Sequence, residues 1–156
     1  MKIHLLSIGH KMPVWVNQGC QEYLKRMPKE CSVKLIEISA AKRTKKSDFK
    51  RIITDESQRL LAAIPKNNRI IALDVKGKHW STEQLAQKMG HWMSSGQDIA
   101  LLVGGPEGLS NDCLKSASEL WSLSALTFPH PLVRVILTEQ LYRGWSVLRG
   151  HPYHRV

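Results

Sequence analysis

An apolar run from Ile99 to Val103 breaks into Gly104-Gly105-Pro106-Glu107-Gly108-Leu109-Ser110, and a second break follows nearby at Leu123-Ser124-Ala125-Leu126-Thr127-Phe128-Pro129-His130. A buried strand that ends in consecutive glycines presents bare backbone that a ligand can approach closely, so two such loops predict a pocket. Neither familiar nucleotide cradle is present in the sequence: no GxxxxGKS or GxxxxGKT occurs, and GGPEG is not a GxGxxG turn after a first strand. Ser110, Ser122 and Ser124 sit in no GxSxG elbow, which argues against a serine nucleophile. His151 and His154 have an HxxH spacing, but no Glu, Asp or Cys beside them completes a ligand set, and no metal is expected. What remains is a cluster of late strand ends: Leu73-Asp74, Gly104-Gly105 and Leu123 to Phe128.

The rest of the chain supplies the elements that would hold these ends. Lys2 to Ile8 reads as a strand, Val14 to Met27 as a helix stopped by Pro28, and Val33 to Ile38, with alternating apolar and polar residues, as a half-buried strand. A helix is expected from about Ser47, its N-cap, to Ile64 before Pro65. Arg69 to Val75 reads as a third strand, with Gly77 turning the chain; Ser81-Thr82-Glu83-Gln84 resembles a capping box opening a helix that ends before Gly96. Asp98 to Val103 is the fourth strand, a short helix follows Ser110, and Ser122 to Phe128 is the fifth strand. The last helix runs from about Pro131 to Leu148, with Gly150 beyond its end. Strands separated by helices imply parallel connections, hence an α/β sheet with helices on both faces.

That last helix carries more apolar surface than one packing face uses. Leu132, Val133, Ile136, Leu137, Leu141, Trp145 and Leu148 form a stripe, while Val135, Tyr142 and Val147 lie off it. Together with Gly144 they either fill an irregular core or meet another subunit.

Composition bounds the setting. The 156 residues, 42% hydrophobic, suit one compact domain over 1–156. No apolar run approaches the roughly 20 residues of a membrane helix, and the opening run is interrupted by His4 and ended by Gly9-His10-Lys11, so a cytoplasmic protein is expected. Cys20, Cys31 and Cys113 form no CxxC pair and read as free thiols. The 23 Lys and Arg against 13 Asp and Glu give a net charge of +10, which favours a polyanionic partner such as nucleic acid. Lys42, Arg43, Lys45, Lys46, Lys50 and Arg51 are opposed locally only by Asp48, and from Pro129 onward Arg134, Arg143, Arg149 and Arg155 face only Glu139. The alternative for each cluster alone is a solvated helix face or a loose tail; two on one short chain predict a binding surface.

Gly9-His10-Lys11-Met12, Ile70 to Asp74, Gly104 to Leu109, Leu126 to His130, Glu139-Gln140-Leu141-Tyr142-Arg143 and Pro152-Tyr153-His154 form an ordered set. In these motifs the chain resembles the RlmH group of the SPOUT methyltransferases, enzymes that methylate N3 of a pseudouridine in large-subunit ribosomal RNA. The resemblance runs from Lys2 to Arg155. It implies a mostly parallel sheet flanked by helices, with a C-terminal trefoil knot over approximately 70–150, an exception to the rule of unknotted connections. It implies S-adenosylmethionine as cofactor, held by Leu73, Gly104, Gly105, Leu123, Ser124, Ala125, Leu126, Thr127 and Phe128. Those residue types suit the task, with apolar walls for an adenine ring and free backbone groups for its edge.

The target implied is the helix 69 stem-loop of 23S ribosomal RNA, in the large subunit or the 70S ribosome. The enzyme implied is a homodimer in which the tail of one subunit reaches the pocket of the other. Methylation of N3 requires the imide proton to leave and N3 to lie in line with the methyl group. Candidates are His130 beside the cofactor loop, and Tyr153, His154 and Arg155 in the tail: Arg155 for a uracil oxygen or a phosphate, Tyr153 for stacking on a base. Which group is the base stays open. Glu139 and Arg143, four apart, suit an intrahelical ion pair. Asp74 suits either the cofactor ribose or a turn cap, and Glu107 is similarly ambiguous. A non-enzymatic ribosome-associated RNA-binding protein, or a SPOUT enzyme with another RNA target, also fits the charge; the full-length match and its tail motif argue against both.

Overall fold

The computed structural model describes residues 1–155; Val156, the last residue of the expected domain, lies outside them. Five strands form one sheet: β1 (Lys2–Ile8), β2 (Ser32–Ile38), β3 (Arg69–His79), β4 (Ile99–Val103) and β5 (Glu119–Ser122), in the order β2-β1-β4-β3-β5. Every pairing is parallel. The helices are α1 (Val14–Leu24), α2 (Phe49–Ala62), α3 (Thr82–Ser95), α4 (Asn111–Ser116) and α5 (His130–Arg149).

The alternation of side chains along each strand sorts the core into two layers. Leu5, Ile71 and Leu101 face one side, where they meet Leu85, Met89 and Trp92 of α3 and Leu137 and Leu141 of α5. Leu6, Ala72 and Leu102 face the other, against Leu60 of α2 and Cys113 of α4. All five residues of β4 are buried, which is why its sequence is a continuous apolar run rather than an alternating one.

Local signals set several boundaries as the sequence indicates. Ser81 and Gln84 exchange the two hydrogen bonds of a capping box, and Gly96 and Gly150 end α3 and α5 in left-handed conformations, at φ of 67° and 63°. Other boundaries differ. Asp48, not Ser47, caps α2, its Oδ1 accepting from the Lys50 backbone N–H at 3.0 Å, while the Ser47 hydroxyl is taken by Thr44. Helix α1 stops at Leu24, short of Met27, because Arg26 and Met27 donate three residues back in tighter turns before Pro28.

The largest departures lie at β3 and β5. Gly77 does not turn the chain; β3 continues to His79, and a Cβ at Gly77 would stand 2.7 Å from backbone atoms of Leu120 and Trp121. Both Leu73 and Lys78 pair with Trp121, so residues 74–77 bulge out of register. The fifth strand ends at Ser122, and the expected strand residues through Phe128 form a loop. There the Ser122 hydroxyl donates to the Ser124 carbonyl at 3.1 Å, and the Leu126 N–H donates to the Ser124 hydroxyl at 3.0 Å. These side-chain bonds hold backbone groups that a strand would need for its ladder.

The off-stripe residues of α5 have partners in their own chain. A Cβ at Gly144 would lie 2.8 Å from Met89 Sδ, so this glycine admits α3 to close contact, and Val135 packs where Gly19 of α1 leaves room, 3.3 Å from a Cβ placed there. Tyr142 is buried beneath Tyr23 and Tyr153, with ring centroids at 6.4 and 4.6 Å. Val135, Tyr142 and Gly144 are therefore accounted for within the chain, whereas Val147 stays half-buried.

Candidate cofactor site

The loops after β4 and β5 converge with the β3 bulge on one cleft of about 420 Å³ at the C-terminal ends of the strands. This is where a parallel α/β sheet leaves room for a ligand. Leu73, Gly104, Gly105, Leu123, Ser124, Leu126, Thr127 and Phe128 line it, together with His130. Ala125 does not line it and is exposed, a departure set by the Ser124-centred turn that carries it outward. Trp121 and Ser122, with no local sequence signal to mark them, also line the cleft; Trp121 stacks on Trp80 at 4.8 Å and 15°.

The two glycines act differently from one another. A Cβ at Gly104 would lie 2.7 Å from the Gly108 carbonyl carbon, so its bareness lets the loop fold on itself. Gly108, at φ 83°, closes that turn by donating to the Gly105 carbonyl at 2.9 Å. A Cβ at Gly105 would instead lie 3.0 Å from Glu56 Oε1 and 3.2 Å from Arg43 Nη2. Behind the loop, Arg43 donates from Nη2 to Glu107 Oε2 at 2.5 Å and to Glu56 Oε1 at 3.1 Å. Glu107 is held below the usual carboxylate range, first by the Arg43 hydrogen bonds. Arg43 thus belongs to the loop's support rather than to a free basic face. Nothing local in the sequence marks this, because its partners are 13 and 64 residues away.

His130 opens α5 at the cleft. Its Nε2 is buried with no well-formed hydrogen bond among the described residues, and burial, followed by the nearby Arg134 charge, outweighs the Ile8 and Gly104 backbone beside the ring and pushes its pKa below the ordinary imidazole value. The shift favours the neutral ring at physiological pH. Arg134 is fully buried: Nη1 donates to Glu37 Oε2 at 2.8 Å, and Nη2 to the carbonyls of Gly9 at 2.5 Å and Ile8 at 3.2 Å. It ties α5 to the ends of β1 and β2 and is not available to a polyanion. Asp74 caps a turn, accepting from the Lys76 N–H at 3.0 Å.

The tail candidates lie elsewhere in this chain. Tyr153, His154 and Arg155 are absent from the cleft lining and sit in and just after a 3-10 turn, Pro152–His154. The Tyr153 hydroxyl donates to Glu139 Oε1 at 3.0 Å, and the same carboxylate accepts from Arg143 Nε at 2.8 Å. The Glu139–Arg143 pair is thus the intrahelical one, extended to the tail, and burial first, then the Tyr23 and Glu139 contacts, raise the Tyr153 pKa. His154 Nδ1 bonds the His151 carbonyl, and Arg155 is exposed. Among the described residues no group of three His, Cys, Asp or Glu is placed to hold a metal ion, and no helix is long and apolar enough to cross a membrane.

The family model described as "Predicted SPOUT methyltransferase" matches residues 1–154. The chain belongs to the SPOUT methyltransferase family. Two curated SPOUT relatives named "Ribosomal RNA large subunit methyltransferase H" align over nearly their whole length. The protein of Methylococcus capsulatus is 56% identical over 99% of this chain and 100% of its own. That of Thioalkalivibrio sulfidiphilus is 57% identical over 99% of each. A solved structure described as "a probable methylase family protein" of Haemophilus influenzae shares the fold, with a TM-score of 0.57 and 12% identity, over 99% of this chain and 70% of its own.

Proposed function

We propose that this SPOUT chain transfers a methyl group from S-adenosylmethionine to large-subunit ribosomal RNA, at N3 of a pseudouridine in the helix 69 stem-loop of 23S rRNA. The observation that carries the reading is the full-length similarity, at 56–57% identity, to proteins named large-subunit rRNA methyltransferases. The cleft fits the cofactor. Leu73, Leu123 and Phe128 supply apolar walls for an adenine ring, the glycine loop supplies bare backbone, and His130 Nε2 is a buried polar atom with no well-formed hydrogen bond among the described residues. When bound, the cofactor supplies an electrophilic methyl group on a sulfonium.

The chain's own residues then have three tasks. The 123–128 loop and Leu73 orient the cofactor, and the closed Gly104–Gly108 turn holds one wall in place before binding. His130, half-buried and favoured in its neutral form, is the candidate to take the imide proton, or to hold the developing charge on the base through its second nitrogen. Tyr153, His154 and Arg155 lie off the cleft of their own chain, so a role for them in transfer needs a second copy whose tail reaches this cleft. We accordingly propose a cytoplasmic homodimer acting on assembled ribosomes or large subunits. The exposed Val14 and Trp15 of α1 provide apolar surface for the pairing. We extend the reading to a single domain whose segment near 70–150 is knotted, a feature that rests on the family resemblance.

The test is transfer of labelled methyl groups to ribosomes from cells lacking the modification, with the product mapped by mass spectrometry. The expected product is one methyl on a large-subunit pseudouridine, lost when that pseudouridine is absent. Incorporation into another RNA would retarget the enzyme. Binding of ribosomal RNA without incorporation into any RNA would favour a non-enzymatic module.

A further inference from the structure

Six basic side chains lie between Lys42 and Arg51, and the structure separates one from the other five. Arg43 is committed to Glu107 and Glu56. Lys42, Lys45, Lys46, Lys50 and Arg51 are exposed and form no ion pair among the described residues. The nearest acids along the chain are otherwise engaged: Asp48 caps α2, and Asp55 pairs with Arg59 at 2.6 Å. Lys42, Lys46, Lys50 and Arg51 line an open hollow of about 740 Å³, shared with Asp48 and Asp55, at the start of α2. Phe49, the first residue of that helix, is 60% exposed.

Unpaired like charges in one hollow repel one another in the free protein and are relieved by a polyanion. Lysine and arginine neutralise phosphodiesters with release of counterions, and an exposed aromatic offers a stacking face to an unpaired base. The place of this hollow matters as much as its charge. Its segment is pinned by Arg43 to Glu107, which itself lines the cofactor cleft, and Ala41 N–H donates to Glu56 Oε2 at 3.0 Å. A planar fork shared by two carboxylates is a stiff connection, unlike a lysine contact.

We propose that residues 42–51 bind the phosphodiester backbone of the RNA substrate, and that Arg43 is a positioning residue fixing this surface relative to the cofactor cleft. RNA held in the hollow then presents its target in register with the methyl group. The identity of the RNA as a methyl acceptor rests on the reading above; the binding surface does not.

The experiment measures binding of a large-subunit rRNA stem-loop transcript to the full chain over a salt series, beside methyl transfer to ribosomes. The variant K42Q/K46Q/K50Q/R51Q is expected to bind RNA at least about tenfold more weakly. The slope of log affinity against log salt should fall by about 3, at roughly 0.7–0.9 per lost phosphate contact. Cofactor affinity and thermal midpoint should stay unchanged. An unchanged slope overturns the surface. Arg43→Gln is expected to keep RNA affinity but to lower kcat about tenfold or more at saturating RNA, with partial rescue by Arg43→Lys. A loss confined to the thermal midpoint or to cofactor binding overturns the positioning role. Glu107→Gln, which keeps the shape and drops the charge, is read the same way should Arg43→Gln fail to fold. Steeply salt-dependent binding by the wild-type chain, reduced in the quadruple variant but without methylation of any RNA, supports the surface and overturns the methyltransferase reading.

Discussion

The two basic regions of this chain carry charge of one sign and use it in opposite ways. Around Lys42–Arg51, five side chains stay exposed and unpaired among the described residues, and only Arg43 is paired, with Glu56 and Glu107. From α5 to the tail, Arg134 is buried against Glu37 and two carbonyls and Arg143 is held by Glu139, while Arg149, 4.0 Å from Glu30, and Arg155 stay exposed. A guanidinium fork matched by carboxylates and carbonyls acts as an internal tie, whereas a hydrated lysine ammonium stays in solvent. The formal +10 therefore does not measure a binding surface, because part of it is structural.

The contrast makes graded predictions. Arg134→Met should be the most damaging, at about 3 kcal/mol, because it strands the carbonyls of Ile8 and Gly9 and removes the partner of Glu37. Urea denaturation reads this directly, and a cost below about 1 kcal/mol would remove the distinction between the regions. Gly104→Ala forces a Cβ into the Gly108 backbone, with an expected cost of about 1–3 kcal/mol and a large loss of cofactor affinity by calorimetry. Retained affinity would show that the glycine turn is not the cofactor wall. Glu139→Gln, which withdraws the charge shared by Tyr153 and Arg143, should cost about 1 kcal/mol and raise hydrogen exchange in the tail.

His130 adds a pH dependence that the exposed lysines cannot give. Its native pKa lies below the ordinary value of 6.5, through burial first and then Arg134. As pH falls below 6.5, the unfolded state takes up a proton that the native state refuses. Its contribution is thus present above the ordinary pKa and lost as pH falls toward the lowered one. Comparing denaturation of wild type and His130→Gln across that window should show the slope disappear with the imidazole. The smallest effect is expected for Lys46→Gln with Lys50→Gln, within about 0.5 kcal/mol of wild type, since neither has an ionic partner among the described residues.

What could be read from the sequence follows from how local each signal is. The Ser81–Gln84 capping box, the C-terminal Gly150 and the buried β4 run into Gly104 are each specified within a few residues, and all are in place. The cofactor candidates other than Ala125 were legible and do line the cleft, because a glycine break after an apolar strand and the family motif point to the same loops; Trp121 and Ser122 line it too and carry no such signal. The end of β5 was not legible, because Leu123, Leu126 and Phe128 have the composition of a strand while Ser124 diverts the backbone into turns. Gly77 was misread for a similar reason: its close approach to Leu120 and Trp121 is made by residues more than forty positions away. Arg43 looked like one more member of a cationic run until the fold brought Glu56 and Glu107 to it.

All three thiols, Cys20, Cys31 and Cys113, are free and buried, and burial pushes Cys31 up to about 11 and raises Cys20 as well. Maleimide chemistry needs an accessible thiolate, so the native chain should resist labelling while folded. A cysteine introduced at exposed Arg155 would then be the reactive handle, without first stripping the others. A dye there could report whether the tail stays on its own α5 or crosses to another molecule.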